Sequence, residues 1–495
     1  MTHLSRRQFL AASAASTMAA LLPLPLAAQQ TRLLRATTRT LDIAGRAVAV
    51  KGILDANGRS GLFLDPGERF RIDLANDLDT ETILHWHGQI PPNAQDGVPD
   101  APQPTLAAGE RRSFDFAATP GTHWMHSHIP VQEMELLASP LIVRRAEDLA
   151  ADRQEVTVLL QDLSFRPAEE VLAEITGGGV MAGMDHGMGG MGHDMGDMGG
   201  MMHDIGAMGH EMAGMSGGGM SMAAMDLNDF NFDAYLANDR TLDDPEVVTV
   251  DKGGRVLLRV INGSAATVFW VDTGALSARA VATDGNPIQP VGGSRFGLAM
   301  GQRLDLELDL PTEGGAFPIL ALREGAVERT GIILATQGAK VGRIAGASDT
   351  AHPAFSGDLS QEAKFTALSS LEDRATDHSD NLMLGGSMMP YLWTIDGQGW
   401  GNHRPIEALS GERVVLTFHN MSMMAHPMHL HGHHFQVVAL NGQTVKGALR
   451  DTVHIPPMSM VSVALDAGEA ARWMLHCHHM PHLATGMMTE FVVSA

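Results

Sequence analysis

The sequence predicts an all-β protein made of three consecutive β-sandwich domains, and three observations lead there. The chain has 495 residues, which corresponds to about three domains at roughly 150 residues each. Short alternating apolar runs are separated by glycine and proline turns, with almost no helical periodicity. One segment also recurs three times, a turn followed by an alternating strand that ends in asparagine.

The chain opens with Ser5-Arg6-Arg7-Gln8-Phe9-Leu10 and an Ala- and Leu-rich stretch that ends near Ala28. Paired arginines before a short apolar region read as a twin-arginine export signal over 1–28. Pro23 and Pro25 interrupt that run, which is too short and broken for a membrane anchor. No span is expected in the mature protein. A formal charge of −23 excludes nucleic acid as a partner, because an acidic surface repels phosphate. Cys477 is the only cysteine, so no intramolecular disulfide forms and the thiol is a candidate ligand.

The three repeats run Gly67 to Asn76, Gly254 to Asn262 and Gly411 to Asn420, with the same spacing from Arg69, Arg255 and Arg413 to the asparagine. A second alternating run follows in each copy, over 111–116, 303–308 and 461–465. The domains are expected over 36–146, 153–340 and 362–495. Within the second, residues 177–225 form a low-complexity insertion with fourteen methionines and with His186, His193, His203 and His210. Abundant glycine and few branched apolar residues cannot build a core, so this stretch reads as a mobile loop.

The repeat register carries chemical information. Nine residues after Asn76 stands His85 of His85-Trp-His87-Gly88, and nine after Asn420 stands His429 of His429-Leu-His431-Gly432. The same count from Asn262 reaches Val271, with Thr273 two further on, so the middle domain lacks the pair and reads as a spacer. Two further pairs are His126 with His128 and His476 with His478. Residues two apart share a face of a strand, so each pair offers two imidazoles to one metal cluster. Cys477 lies inside the last pair, and alternation sends its thiolate to the opposite face. With His426, His482 and Met487 nearby, two histidines, a thiolate and a weak thioether form a blue-copper electron-transfer set. Structural zinc uses a closed set of four ligands rather than such an array.

These motifs, His-Trp-His-Gly, His-Ser-His, His-Pro-x-His-Leu-His-Gly and His-Cys-His-x3-His-x4-Met, resemble those of the multicopper oxidase family, of the bacterial laccase or cuprous oxidase type. The resemblance covers essentially the mature chain and implies three cupredoxin-like Greek-key domains. It implies four copper ions. The type 1 ion would take His426, Cys477, His482 and Met487, and the type 2 ion His85 and His429. One type 3 ion would take His87, His126 and His478, and the other His128, His431 and His476. Asp96, in Gln95-Asp96-Gly97, resembles the family's proton-supplying carboxylate. Met480 and Leu483 occupy places that are acidic in some members, which leaves a second proton donor unidentified. His123, His433, His434 and His479 neighbour the ligands and are expected beside the metals or at the surface.

The resulting expectation is a periplasmic oxidase, exported by the twin-arginine machinery, that couples one-electron oxidation of a reductant to reduction of O2 to water. The methionine-rich insertion favours Cu(I) as reductant, since thioethers are soft ligands, and hence a role in copper tolerance. Methionines 421, 423, 424 and 428 would extend a Cu(I) path or serve as packing. The alternatives are a laccase-like oxidase of small phenols or aromatic amines, and a non-catalytic copper-sequestering envelope protein.

Overall fold

In the computed structural model, residues 30–177, 227–355 and 359–495 are described. The signal and the methionine-rich insertion therefore lie outside the described residues, apart from Gly177. The described chain folds as three successive two-sheet sandwiches, as the alternating patterns predict.

The three repeats occupy the same place in each sandwich. Strands Arg69–Asn76, Arg255–Asn262 and Arg413–Asn420 each run parallel to the strand that opens their sandwich, Arg32–Ile43, Gln154–Leu163 and His378–Met388. On the other side each pairs antiparallel with the second alternating run, in the common register Arg69↔Ala117, Arg255↔Asp309 and Arg413↔Asp466. Alternation points Phe70, Ile72 and Leu74 into one core, Val256, Leu258 and Val260 into a second, and Val414, Leu416 and Phe418 into a third. Each such side chain contributes about 1.5–3 kcal/mol when fully buried.

The closing asparagine explains why the repeat ends as it does. Asn76, Asn262 and Asn420 are buried, and each side chain ties down the loop that follows. The Asn76 amide donates to the Thr80 and Leu106 carbonyls, and its oxygen accepts from the Leu78 N–H. Asn262 does the same with Thr267, Leu298 and Ser264. Asn420 does so with Met424, Ile455 and Ser422. A buried backbone group without a partner is costly, so one amide satisfies a loop that has no ladder of its own.

Short helices join the sandwiches. Helix Pro130–Met134, from the first, packs against Ala168–Ile175 and Met480–Ala484. Their apolar faces share a cluster that includes Met134, Val171, Leu172, Met480 and Leu483. This seam brings the first and third sandwiches together around the histidine motifs.

Candidate metal centre

The histidine pairs sit at strand ends. His85 closes Leu84–His85 and faces His126 across the ladder, and His429 faces His476 in the same way. The second member of each pair, His87, His128, His431 and His478, lies just past its strand. Strand alternation alone therefore does not place these four, and the turns complete the arrangement. Gly88 and Gly432 hold φ of +87° and +65°, a region that favours glycine. A Cβ at Gly432 would lie 2.1 Å from the Trp473 ring, and one at Gly88 2.4 Å from His123 and Arg303.

The twelve residues named from the sequence are all buried. Metal-sized groupings form from His85, His87 and His429, from His87, His126 and His478, from His128, His431 and His476, and from His426, Cys477 and His482. Met487 lies in the same core cluster as Cys477. The Cys477 sulfur is 3.7 Å from His426 Nδ1 and 3.6 Å from His482 Nδ1.

Proton accounting shows which ring nitrogen is free. His85 Nδ1 donates to the Asp96 carbonyl at 2.9 Å, and His476 Nδ1 to the Cys477 carbonyl at 3.0 Å. His429 Nδ1 donates to the Asp451 carbonyl at 2.9 Å, and His431 Nδ1 to Asp96 Oδ2 at 2.8 Å. His126 Nδ1 reaches the Ser127 carbonyl at 2.9 Å and Glu133 Oε2 at 2.7 Å. Each of these rings thus turns Nε2 inward. His87 is reversed, because its Nε2 donates to Asp451 Oδ1 at 3.0 Å and Nδ1 is left unpartnered. His426 Nε2 donates to Ser422 Oγ at 2.9 Å, which turns Nδ1 toward Cys477.

The inward nitrogens fit metal ions. His87 Nδ1, His126 Nε2, His128 Nε2 and both nitrogens of His478 are buried without a hydrogen-bond partner, a costly state unless a ligand is bound. Inward nitrogens approach one another at 3.3 Å (His85 and His429), 3.1 Å (His431 and His476) and 3.1 Å (His426 and His482). Two nitrogens about 2.0–2.1 Å from one ion lie roughly 3.3 Å apart at a tetrahedral angle. Burial and the neighbouring imidazoles hold His126, His128, His431, His476 and His478 well below the usual histidine range. Neutral imidazole is the form that binds metal. Burial pushes the Cys477 thiol up, so a bound cation is what would hold it as thiolate.

The flanking histidines are buried or nearly so rather than at the surface. His433 Nδ1 donates to the His431 carbonyl at 3.0 Å, and His434 Nε2 to the Gly88 carbonyl at 2.9 Å. His479 stacks on His482 with centroids 3.9 Å apart, and His123 lies 3.5 Å from the Arg303 guanidinium. Met480 and Leu483 are packed in the apolar seam, and Val271 and Thr273 are buried within the middle sandwich.

Four charged groups escaped the sequence reading. Glu133 is buried beside His126, with its other oxygen 3.9 Å from His478 Nδ1. Burial and Asp162 push its carboxyl well above the usual range. Asp451 carries His87 and His429, and Arg303 grips Asp451 from the middle sandwich. Asp229 lies 3.6 Å from His482 Nε2 and accepts from Tyr391. Of these, only Glu133 had a local signal, its place five residues after His128 in a Pro-initiated turn.

Models of the multicopper oxidase family match residues 60–148, 210–339 and 373–495, together more than half of the chain. A model of the twin-arginine translocation signal matches 3–23, so the chain carries an export signal. Among the described residues no helix is long and apolar enough to cross a membrane. The chain is 28% identical over 438 residues to multicopper oxidase MmcO of Mycobacterium tuberculosis, covering 86% of this chain and 79% of that one. It is 24% identical over 538 residues to copper resistance protein A of Escherichia coli, covering 86% of each. Its fold matches Fet3p, a multicopper oxidase that functions in iron import, with a TM-score of 0.73 at 15% identity, covering 94% of this chain and 90% of that one. With its three sandwiches of the cupredoxin fold and its copper-binding chemistry, the chain belongs to the multicopper oxidase family of oxidoreductases.

Proposed function

We propose that this enzyme is a periplasmic cuprous oxidase, serving copper tolerance, that couples Cu(I) oxidation to the reduction of O2 to water. In this reading His426, Cys477, His482 and Met487 hold type 1 copper, and His85 and His429 hold type 2 copper. His87, His126 and His478 hold one type 3 ion, and His128, His431 and His476 the other. The three domains are taken as 36–146, 153–340 and 362–495. Four Cu(I) each give up one electron, and one O2 takes four electrons and four protons to give two waters.

The choice of Cu(I) is carried by one observation. A small cavity beside the type 1 residues is lined by Met300, Met423 and Met424, with Glu324, His454 and His479. Met424 stands two residues from His426, and His479 stacks on His482. Thioethers favour Cu(I) over harder cations, so this is a soft entry to the electron acceptor. The methionine-rich stretch and the similarity to copper resistance protein A support the same choice.

Copper bound in these sites would supply one-electron redox steps and the binding of O2. The chain's own contributions are distinct. Cys477 and its peptide bonds to His476 and His478 form a covalent bridge between the two ligand groups. Asp96 Oδ2 holds the proton on His431 Nδ1, while its buried Oδ1 has no hydrogen-bond partner and is where a proton would be held for delivery. Glu133 is a second buried carboxylate at the cluster, on the helix that packs against Met480–Ala484.

Oxygen uptake with Cu(I) as sole reductant tests the proposal. Saturable uptake is expected, and Met300→Leu with Met424→Leu should raise the half-saturating Cu(I) about tenfold, about 1.4 kcal/mol, with phenol turnover unchanged. Turnover on phenols that exceeds turnover on Cu(I) would favour the laccase reading. Copper-loaded protein with no oxygen uptake would favour sequestration.

A further inference from the structure

We infer that Arg303 of the middle domain is a positioning residue for the copper cluster, acting through Asp451 on His87 and His429. This rests on the ligand assignment proposed above. The middle domain contributes none of the proposed ligands, yet through this side chain it grips the carboxylate that contacts two of them.

Arg303 is completely buried at the start of strand Arg303–Asp309. Its guanidinium grips both oxygens of Asp451, Nη1 to Oδ1 at 2.7 Å and Nη2 to Oδ2 at 2.5 Å. Nε donates to the Thr122 carbonyl of the first domain at 3.0 Å, and Nη1 also to the Gly301 carbonyl at 3.0 Å. Four of its five N–H donors are thus used, with Nη2 also 3.5 Å from His123 Nδ1, and the planar fork is matched to the carboxylate.

Asp451 in turn touches histidines from two domains. Oδ1 accepts from His87 Nε2 at 3.0 Å, and its carbonyl accepts from His429 Nδ1 at 2.9 Å. The Thr452 hydroxyl donates to the same Oδ1 at 2.9 Å and lies 3.0 Å from His87 Nε2. The orientation of Asp451 therefore decides that His87 presents Nδ1, unlike the neighbouring rings. Carboxylates that hydrogen-bond metal-binding histidines fix their tautomer and ring orientation. Without Arg303, Asp451 would lose both bonds that hold its oxygens in place and be a buried carboxylate lacking its cation, which favours its moving away. That movement releases His87.

The middle domain provides its own control. Arg259 is also buried, at 1% exposure, and lies on the strand paired with Arg303–Asp309. It also spans to the first domain, donating to Thr122 Oγ1 at 3.0 Å and to Asp305 at 2.7 Å. Its carboxylate partners are Asp148, Glu155 and Asp305, none of which touches a proposed ligand. A role limited to holding domains together would make the two arginines equivalent.

The test compares copper-loaded wild-type, Arg303→Met, Arg303→Lys and Arg259→Met enzymes by copper content and electron paramagnetic resonance. Arg303→Met is expected to weaken copper binding about 10- to 100-fold at the type 3 position that takes His87, read as lost copper content, and through His429 to change the type 2 spectrum, while the blue type 1 absorption stays. Lysine lacks the fork and should give a smaller change of the same kind. Arg259→Met should leave the type 2 spectrum unchanged. An unaltered spectrum in Arg303→Met, or equal changes in both methionine variants, overturns the inference. Should Arg303→Met not fold, a wild-type spectrum in Arg303→Lys overturns it. A wild-type enzyme that shows only the blue site refutes the ligand assignment instead.

Discussion

Replacing Asn420 with alanine tests how the threefold repeat became a metal site. Asn420 donates to the carbonyls of Met424, Ile455 and Pro456 at 2.7, 3.0 and 2.9 Å, and its oxygen accepts from the Ser422 N–H at 2.9 Å and hydroxyl at 2.8 Å. Its middle-domain counterpart Asn262 makes the bonds to Thr267, Leu298 and Ser264 alone. At about 1 kcal/mol per hydrogen bond, Asn262→Ala should cost about 3 kcal/mol and Asn420→Ala about 4–5 kcal/mol. The second value is at the top of the range for single substitutions.

The two losses should also read out differently. The loop held by Asn420 carries Ser422, which accepts from His426 Nε2, so Asn420→Ala should bleach or shift the blue absorption before the chain unfolds. Asn262→Ala should lower stability with the blue band intact. Denaturant unfolding followed by tryptophan fluorescence and by blue absorption separates the two, since one probe cannot describe a multidomain transition. Equal stability of Asn420→Ala and wild type, or a blue band that responds identically in both variants, would refute this account of the repeat.

Further predictions concern protons, metal supply and pH. Asp96→Asn keeps an acceptor for His431 but cannot hold and release a proton, so copper content should persist while the reoxidation of reduced enzyme by O2 slows by at least about 100-fold. Deleting residues 177–225 should lower Cu(I) oxidation at limiting copper and leave phenol turnover unchanged, as steady-state kinetics would reveal. Burial raises the Glu324 carboxyl from its ordinary value of 4.5 to about 7, so the folded chain binds more protons than the unfolded one between those values. Stability is then lost as pH rises through that window, by up to about 3 kcal/mol. Glu324→Gln, which can still accept the Phe355 N–H, should be more stable than wild type at pH 8 and no more stable at pH 4 by denaturant titration.

The proposed ligands could be named because each motif compresses its chemistry into two or three neighbouring positions. His476, Cys477 and His478 advertise a bridge between two metal groups before any fold is known. The repeat was legible for a similar reason, since Arg, alternation and Asn recur at fixed spacing. What strand alternation misdescribed was the second histidine of each pair, which leaves its strand at a turn. The spacer reading of the middle domain was incomplete as well, because spacing arguments register ligands and not the charges that hold them.

The sequence by itself determined the fold class, the repeat, the export signal and the donor atoms, because these depend on periodicity and local order. Only the tertiary structure decided how those donors are aimed. His87 and Asp451 are 364 residues apart, and Arg303 is 148 residues from Asp451. Glu133 looks like an ordinary helix residue until the domain seam buries it against His126. Apart from the Pro-initiated turn before Glu133, nothing near these residues in the chain distinguishes them from surface charges. Their roles arise from burial, where an ionised group must find a specific partner, and burial is a property of the assembled domains.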